Sequence, residues 1–431
     1  MMGNGSRRGR GVCFVLAVVV LLSAIVPAAL AQDSSDETND ELLYAPDRIL
    51  VKLAPGAAPN PVLGAGSNPV FDRWRTVPVP PGKTPQEMVE ELKTRNGVDF
   101  AELDHVIQLD PQFDPVPFDH VSPVDVDDPF YDFQWHFPAV QLDEAWAETT
   151  GTGVVVAVVD TGITQDGDDL DCHTFVDPFD ATGTPGPITA EDDHGHGTHV
   201  AGTVAQCTNN AVGVAGVAFD ASLMPVKVLD STGSGFVSWL ASGINWARAH
   251  DADVVNMSLG WDDPSFTHPM IDDAIEAAVA DGLVLVAASG NNNWPTVAYP
   301  ANHPDVIAVG ATEYNSTRAP YSNRGSAIDV VAPGGNNSKD ENGDGFADGV
   351  LQETFVPGGS PPWGYRFFQG TSMATPHVAG AAALLLSERP GLNPSQVKRA
   401  LECSALDLGT PGFDDDYGHG LIQIHDALLA V

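Results

Sequence analysis

A series of short apolar runs, separated by helical stretches, constrains the fold of this chain more than any other feature. Residues 154–159 are an unbroken, valine-rich run, which is typical of a strand covered on both faces. Similar runs occur at residues 223–229, 254–258, 283–288 and 306–310, and helical patterns occupy residues 237–250 and 271–281. This alternation predicts an α/β fold, mainly a parallel sheet with helices on both faces.

A smaller unit precedes this body. The elements expected there are a strand over residues 47–53, a helix over residues 85–94 and a strand over residues 98–109. They predict a small α+β domain spanning residues 43–110. Residues 111–127 are rich in proline and aspartate, which predicts an exposed linker to a main domain of residues 128–431.

The chain begins with a segment typical of a secretory signal peptide, which we assign to residues 1–31. It has a basic start, an apolar stretch and the small-residue sequence Ala29-Leu30-Ala31 before the expected cleavage point. We therefore expect a secreted, extracellular protein. Residues 12–31 are just long enough to span a bilayer, so an uncleaved anchor is the alternative.

The charge of the chain is strongly one-sided. Nineteen lysines and arginines stand against 58 aspartates and glutamates, a formal net charge of -39. Such a surface repels nucleic acid and anionic membranes, so we expect neither nucleic-acid binding nor stable membrane association. It suits high salt, cation binding or solubility instead.

The cysteines indicate one disulfide. Removal of the signal peptide removes Cys13 and leaves Cys172, Cys207 and Cys403. In an oxidising compartment we expect Cys172 to pair with Cys207, because each lies in a loop that flanks the segment carrying His196. Three buried free thiols are the alternative. Zinc binding by cysteines is not expected, since the sequence has no CxxC pair.

Three short segments place a reactive side chain beside glycine at the end of a predicted element. In the first, Asp160 closes a strand and is followed by Thr161 and Gly162. Ligand sites of open α/β sheets lie at the carboxyl ends of strands. Taken alone, an aspartate in this position is more commonly a turn or capping residue.

The second segment contains His194, His196 and His199 among glycines at a predicted helix start. A helix start holds a side chain at a fixed angle, as a general base requires. The same HxHxxH spacing also suits zinc, which neutral imidazoles commonly bind. From these residues alone, a base, a metal ligand and a structural role all stay open.

The third segment runs from Gly370 through Thr371 and Ser372 into an apolar helix, with Pro376 near its start. A serine at a helix start usually only caps the helix. Here the preceding glycine and the small neighbours favour a hydroxyl that faces open space. Backbone N–H groups at a helix start also point toward a developing negative charge.

Together, the three segments resemble the subtilisin-like serine protease family, in that family's order of Asp, His and Ser. The resemblance extends from Asp128 to the end of the chain. It implies that Asp160, His196 and Ser372 form the catalytic triad. His196 is then the base, and the two neighbouring histidines have structural roles.

The resemblance implies acyl transfer as the chemistry. Ser372 attacks the peptide carbonyl while His196 takes its proton and Asp160 orients the imidazole. Residues 287–291 look like the family's oxyanion segment, which implies that the Asn291 side-chain amide and the Ser372 N–H stabilise the oxyanion. Without the triad, a Gly-Asn pair after a strand would indicate an ordinary turn.

Two edge segments and a pocket are implied to contact the substrate. The residues concerned are Gly233, Ser234 and Gly235 on one edge, Ser258, Leu259 and Gly260 on the other, and Ala288, Gly290 and Ala298 around the pocket. In this family a peptide binds between the edges as an added strand, through main-chain hydrogen bonds. We expect broad specificity, with a preference for medium or large apolar side chains.

An acidic segment predicts a first calcium site. Asp340, Asn342, Asp344 and Asp348 follow the first part of an EF-hand-type loop, including the glycine that its tight turn needs. Leu351 stands where such a loop has its last glutamate. A solvated acidic loop without metal is therefore the alternative.

A second calcium site is implied by the family resemblance alone. Its ligands would be Asp128, Asp169 and Asn210 with carbonyls of residues 208–214. They lie far apart along the chain, so their spacing does not reveal the site. Calcium, in a structural role, is the cofactor expected, and no organic cofactor is expected.

The unit at residues 43–110 resembles the family's inhibitory prodomain. This resemblance implies a zymogen that cleaves itself between residues 110 and 128. The expected partners are protein and peptide substrates and the chain's own prodomain, and we expect a monomer. Two other functions are considered: a catalytically inactive, peptide-binding family member, and a zinc hydrolase that uses His194, His196 and His199.

Overall fold

The computed structural model describes residues 44–63, 66–109, 113–114, 126–164, 167, 169–173, 175–183, 190–261, 263, 265–355 and 363–431. The expected signal peptide and most of the expected linker lie outside these ranges.

The N-terminal unit contains the three elements that its sequence predicts. Its elements are β1 (Tyr44–Leu53), α1 (Pro59–Leu63), β2 (Asn68–Pro69), β3 (Trp74–Pro78), α2 (Pro85–Lys93) and β4 (Val98–Gln108). β1 pairs antiparallel with both β3 and β4. α2 begins with a capping box, in which the Thr84 hydroxyl and the Glu87 carboxylate each accept the other residue's backbone N–H. Val89 and Leu92 of α2 are buried.

The following elements form the body of the protein. They are β5 (Phe113–Asp114), α3 (Leu142–Ala145), β6 (Val155–Asp160), β7 (Phe179–Asp180), α4 (His196–Ala205), β8 (Ser222–Lys227), β9 (Ser234–Phe236), α5 (Val237–Ala249), β10 (Val254–Met257), α6 (Pro269–Ala280), β11 (Val284–Ala288), β12 (Ile307–Thr312), β13 (Val330–Pro333), β14 (Val350–Phe355), β15 (Trp363–Phe368), α7 (Thr371–Glu388), α8 (Pro394–Ser404) and α9 (Ile424–Ala430). Short 3-10 turns lie at Tyr131–Phe133 and Pro138–Val140.

A parallel sheet forms the centre of this body, in the order β13-β12-β11-β10-β6-β8-β7. All of its pairings are parallel, which confirms the predicted fold class. Every residue of β10 and β11 is buried, as their continuous apolar sequences require. Helices α4 and α7 contact each other, as do α5 and α6. All four helices also contact strands of the parallel sheet.

The hairpin formed by β14 and β15 is not predicted by the sequence patterns. These strands pair antiparallel from Val350 with Phe368 to Phe355 with Trp363. The hairpin contacts the start of α4, where the Thr354 hydroxyl donates to Gly195 O. It therefore supports the helix that begins with His196.

Within the described part of the chain, no helix combines the length and the apolar character needed to cross a bilayer.

Candidate active site

Three elements bring the reactive residues of the sequence motifs to defined positions. Asp160 is the last residue of β6, His196 is the first residue of α4, and Ser372 lies in the first turn of α7. β6 lies between β10 and β8 inside the sheet, so its end is fixed on both sides. Asp160 is fully buried as a result.

The imidazole of His196 is hydrogen-bonded to the carboxylate of Asp160. His196 Nδ1 lies 2.7 Å from Asp160 Oδ1, and the backbone N–H of Thr161 donates to the same oxygen at 2.7 Å. Asp160 Oδ2 is buried and has no hydrogen-bond partner among the described residues. A buried carboxylate next to Nδ1 holds the Nδ1–H tautomer and leaves Nε2 free to accept a proton.

Asp192, which the sequence analysis missed, fixes the loop before His196. Its Oδ1 accepts from the backbone N–H groups of His194 and Gly195, each at 2.9 Å, and from the Thr161 hydroxyl at 2.8 Å. Its Oδ2 accepts from the N–H and hydroxyl of Thr198. The available signal was an acidic residue just before a helix start, where side chains commonly accept unpaired N–H groups.

Lys227 is a second residue that the sequence analysis missed. It is 1% exposed, and its ammonium group donates to Thr161 O at 2.6 Å, Asp193 Oδ1 at 2.6 Å and Leu229 O at 2.9 Å. These three partners use all of its N–H groups. Lys227 thus ties the end of β6 to the loop before α4. The signal in the sequence was a lysine within the otherwise apolar run of residues 223–229, where a charged side chain needs buried partners.

The hydroxyl of Ser372 is hydrogen-bonded to a backbone carbonyl in this structure. Ser372 is 8% exposed, and its Oγ donates to Ser258 O at 3.0 Å. The Ser258 hydroxyl in turn donates to Ser372 O at 2.8 Å. The serine is therefore held against the segment that follows β10, and its hydroxyl must turn to reach a base.

Asn291 is fixed beside the serine by its side-chain oxygen. Asn291 Oδ1 accepts from the backbone N–H of Thr371 at 2.8 Å and from the Thr371 hydroxyl at 2.9 Å. These bonds leave the amide Nδ2 as the group available to donate. Asn291 and Ser372 line the same pocket, as an oxyanion site requires.

This pocket brings together residues from distant segments of the chain. Its lining consists of Gln108, Leu109, Ser258, Leu259, Gly260, Trp261, Ala288, Gly290, Asn291, Ala298, Thr371 and Ser372. Six of the nine predicted substrate contacts are among them. Leu259, Ala288 and Ala298 give it apolar walls.

The other three predicted contacts, Gly233, Ser234 and Gly235, lie along β4 of the N-terminal unit. Gly235 and Ser234 pair antiparallel with Ile107 and Gln108. Beyond the paired residues, the N–H of Leu109 donates to Gly233 O at 2.8 Å. The end of β4 therefore occupies the edge expected to bind substrate, and it lies beside the pocket that contains Ser372.

Two of the three histidines considered as zinc ligands have separate partners: His196 contacts Asp160, and His199 contacts the hairpin of β14 and β15. His199 Nε2 lies 3.1 Å from both Val350 O and Arg366 O, and burial lowers the pKa of His199 to about 3. Among the described residues, the side chains grouped closely enough to share a metal ion are Cys172, His173 and Cys207, and these two cysteines form a disulfide. The geometry of this region therefore gives no support to a zinc site.

Cys172 and Cys207 form a disulfide, as expected, with their Cα atoms 6.0 Å apart. Cys403 is free and exposed.

The residues predicted for the second calcium site also lie together. Asn210 contacts both acids: its Nδ2 donates to Asp169 Oδ1 at 2.9 Å, and its backbone N–H donates to Asp128 Oδ1 at 3.1 Å. Glu353, not anticipated from sequence, accepts from the N–H of Asp169 at 3.0 Å. Burial, with Glu353 and Asp128 nearby, raises the pKa of Asp169 to about 8.

The acidic loop predicted as the first calcium site folds into a tight turn. Asp340 accepts from the backbone N–H groups of Gly343 and Gly345, at 2.8 and 3.2 Å. Asp348 is 1% exposed, and its Oδ1 has no hydrogen-bond partner among the described residues. Burial raises the pKa of Asp348, and the charges of Asp340 and Asp344 raise it further.

Comparison with known proteins is consistent with this geometry. The profile of the Subtilase family matches residues 151–420. Subtilisin E of Bacillus subtilis is 38% identical over 346 residues, which cover 79% of this chain and 78% of that protein. Subtilisin Savinase of Lederbergia lenta is 42% identical over 294 residues, 68% of this chain and 97% of that protein. The solved structure of a protease from Pseudoalteromonas arctica matches with a TM-score of 0.64 at 35% identity, covering 71% of this chain and 99% of that one.

The chain thus has an α/β fold with a buried Asp-His pair at the end of a central strand, and the proteins similar to it are serine proteases. The chain belongs to the subtilase family. It is a serine endopeptidase with a subtilisin-like parallel sheet, and the family resemblance noted in the sequence is confirmed.

Proposed function

We propose that the chain is a secreted, self-processing serine endopeptidase in which Asp160, His196 and Ser372 are the catalytic triad. The observation that carries this assignment is the 2.7 Å contact between His196 Nδ1 and the buried Asp160 Oδ1. It leaves Nε2 of His196 to take the proton of the Ser372 hydroxyl, which then attacks a peptide carbonyl. The amine leaves with that proton, and water hydrolyses the acyl-enzyme.

Labelling with a fluorophosphonate tests this assignment. The probe reacts covalently with an activated serine. It forms no adduct on an enzyme whose nucleophile is a metal-bound water. We expect one adduct on the purified wild-type protein, located at Ser372 by peptide mass mapping, and unchanged labelling after treatment with a zinc chelator. An adduct at another residue, or no adduct on a folded protein that cleaves casein, would contradict the triad.

The oxyanion formed during attack would be stabilised by the Asn291 amide and the Ser372 N–H. Asn291 Oδ1 is occupied by Thr371, which orients Nδ2 as a donor before substrate arrives. Preorganised donors of this kind cost no rearrangement during the reaction. They act on the transition state more than on the bound substrate.

Replacing Asn291 with alanine should lower kcat by about 100- to 1,000-fold with little change in KM, the effect known for the corresponding asparagine of subtilisin itself. Steady-state hydrolysis of a chromogenic peptide measures both constants. Asn292→Ala, at the exposed neighbouring position, is the matched control and should keep kcat within about threefold. Equal kcat values for the two variants would show that Asn291 is not an oxyanion donor.

Residues 43–110 would act as an inhibitory prodomain. Three observations support this: β4 pairs with β9, the Leu109 N–H donates to Gly233 O, and Trp74 Nε1 donates to Asp273 Oδ2 at 2.7 Å. A strand on this edge excludes substrate from it. Cleavage between residues 110 and 128 would then free the groove, and residues 1–31 would direct export.

The substrate would bind as β4 does, by strand addition along the same edge. Main-chain hydrogen bonds give affinity with little sequence demand, so specificity would be broad. The apolar walls of the pocket, formed by Leu259, Ala288 and Ala298, support a preference for medium or large apolar side chains.

Calcium would stabilise the enzyme at two sites. Asp128, Asp169 and Asn210 would hold one ion, and the loop from Asp340 to Asp348 would hold another. The orphaned, buried Asp348 Oδ1 and the buried acids around Asp169 fit a hard divalent cation. Each ion would balance carboxylate charge and cross-link the segments that carry its ligands.

Removal of calcium should lower the Tm of the mature enzyme by about 5 to 10 °C for each occupied site, or about 10 to 20 °C for two. Calcium at a hundred times its Kd adds about 2.7 kcal/mol, and about 2 to 4 °C of Tm accompany each kcal/mol in a domain of this size class. Scanning calorimetry with calcium and with EGTA measures the difference.

Asp348→Asn should reduce this calcium-dependent shift, since it removes a charged ligand. Glu276→Gln, on the exposed side of α6, is the control and should keep the full shift. If the Tm of wild type does not respond to calcium, neither site binds it. If Asp348→Asn responds as wild type does, the loop from Asp340 to Asp348 is not a site.

A further inference from the structure

α7 contains a proline that removes one hydrogen bond next to the proposed nucleophile. In an α-helix the carbonyl of each residue accepts from the N–H four residues later. For Ser372 that residue is Pro376, which has no N–H. Ser372 is almost fully buried, and buried carbonyls are rarely left unpaired. The Ser372 carbonyl therefore needs a donor from outside the helix.

The side chain of Ser258 supplies this donor. Its hydroxyl donates to Ser372 O at 2.8 Å, in a place that is fully buried. The orientation of the hydroxyl is set by Asn256, whose Nδ2 donates to Ser258 Oγ at 3.0 Å. Because Oγ accepts from Asn256, its own hydrogen is left for the Ser372 carbonyl. Asn256 belongs to β10, so the donor is anchored in the sheet.

Ser258 and Ser372 are in fact joined by two hydrogen bonds in opposite directions. Ser372 Oγ donates to Ser258 O at 3.0 Å, in addition to the bond between Ser258 Oγ and Ser372 O. Only the first of these must break when the nucleophile turns toward His196. The second can persist through the reaction, and it holds the Ser372 backbone while the hydroxyl moves.

We propose that Ser258 is a positioning residue. Its hydroxyl, oriented by Asn256, takes the place of the helical N–H that Pro376 lacks. It fixes the backbone of Ser372, including its N–H, relative to residues 258–261, which line one side of the pocket. This inference rests on the proposed role of Ser372 as nucleophile. Its effect should fall on kcat, because substrate contacts with the backbone of the Ser258 segment do not need the hydroxyl.

Three variants test the proposal: Ser258→Ala, Pro376→Ala and the double variant. A misplaced nucleophile typically costs up to about 100-fold, so Ser258→Ala should lower kcat by about 10- to 100-fold with KM within about threefold. Pro376→Ala should keep kcat within about threefold. In the double variant the new N–H of Ala at position 376 can donate to Ser372 O, so kcat should recover to within about fivefold of wild type.

The measurements are kcat and KM for a chromogenic peptide. The enzyme is produced by maturation of the full-length protein, and its active fraction is determined by titration with a fluorophosphonate. Wild-type kcat in Ser258→Ala would overturn the proposal, as would a folded double variant as slow as Ser258→Ala. If Ser258→Ala does not fold, Pro376→Ala and the double variant are compared, and a kcat more than tenfold lower in the double variant refutes the role. An inert wild type would refute the proposed protease function instead.

Discussion

Replacing Ser372 with alanine should abolish proteolysis and leave the protein as an uncleaved precursor. Without its hydroxyl, no acyl-enzyme can form, and the pairing of His196 with Asp160 has nothing to activate. For subtilisin itself, a relative of this chain, loss of the serine costs about two-million-fold in kcat. We expect a loss of the same order, about 10⁶-fold, measured as casein hydrolysis together with the intact mass of the protein over time in calcium.

The matched control for this variant is Ser387→Ala, at the other end of α7. Ser387 donates to Thr152 O at 2.9 Å and lies far along the helix from the pocket. It should mature and cleave casein at a rate within about threefold of wild type. If wild type and Ser372→Ala both lose the segment before residue 128 and are equally active, Ser372 is not the nucleophile. If wild type stays whole but is active, the self-processing proposal fails while the triad stands.

The parallel sheet could be predicted from the sequence because its strands are buried on both faces. The run at 154–159 appears as Val155–Asp160, and the runs at 254–258 and 283–288 appear as Val254–Met257 and Val284–Ala288. In such strands the apolar pattern has one cause, burial, and needs no knowledge of the partner strand.

The hairpin at Val350–Phe355 and Trp363–Phe368 could not be predicted in the same way. Gln352, Glu353 and Thr354 are buried polar residues in its first strand, so the pattern that marks a buried strand is interrupted. Their partners lie elsewhere in the chain, for example Asp169 for Glu353. Only the folded structure shows where Glu353 and Thr354 find their hydrogen-bond partners.

Some residues of the candidate site could be predicted from the sequence, and others could not. Asp160, His196 and Ser372 were assigned from the resemblance of three motifs taken together, because each motif alone left a turn, capping, metal or structural role open. Asp192 and Lys227 were missed because most of their partners are backbone atoms, which leave no residue pattern at the partner positions. Contacts that depend on three-dimensional proximity alone are invisible in a single sequence.

The second large effect expected concerns the carboxylate of Asp160. It is fully buried, it lies 2.7 Å from His196 Nδ1, and its Oδ1 also accepts the Thr161 N–H at 2.7 Å. When His196 takes the proton of Ser372 it becomes a cation in a place with little water. A charge there is costly unless an opposite charge is close, so Asp160 stabilises the imidazolium as well as orienting the ring.

Asp160→Ala should therefore lower kcat by about 10⁴-fold with KM little changed; for subtilisin itself the corresponding loss is about thirty-thousand-fold. Peptide hydrolysis by titrated enzyme measures both constants. Asp253→Ala is the matched control, since Asp253 accepts the Val155 N–H at 2.8 Å at the opposite end of the same strand. It should lower the Tm but keep kcat within about threefold. A similar loss of kcat in both variants would mean that the strand needs both acids for its structure, and that Asp160 has no special part in the chemistry.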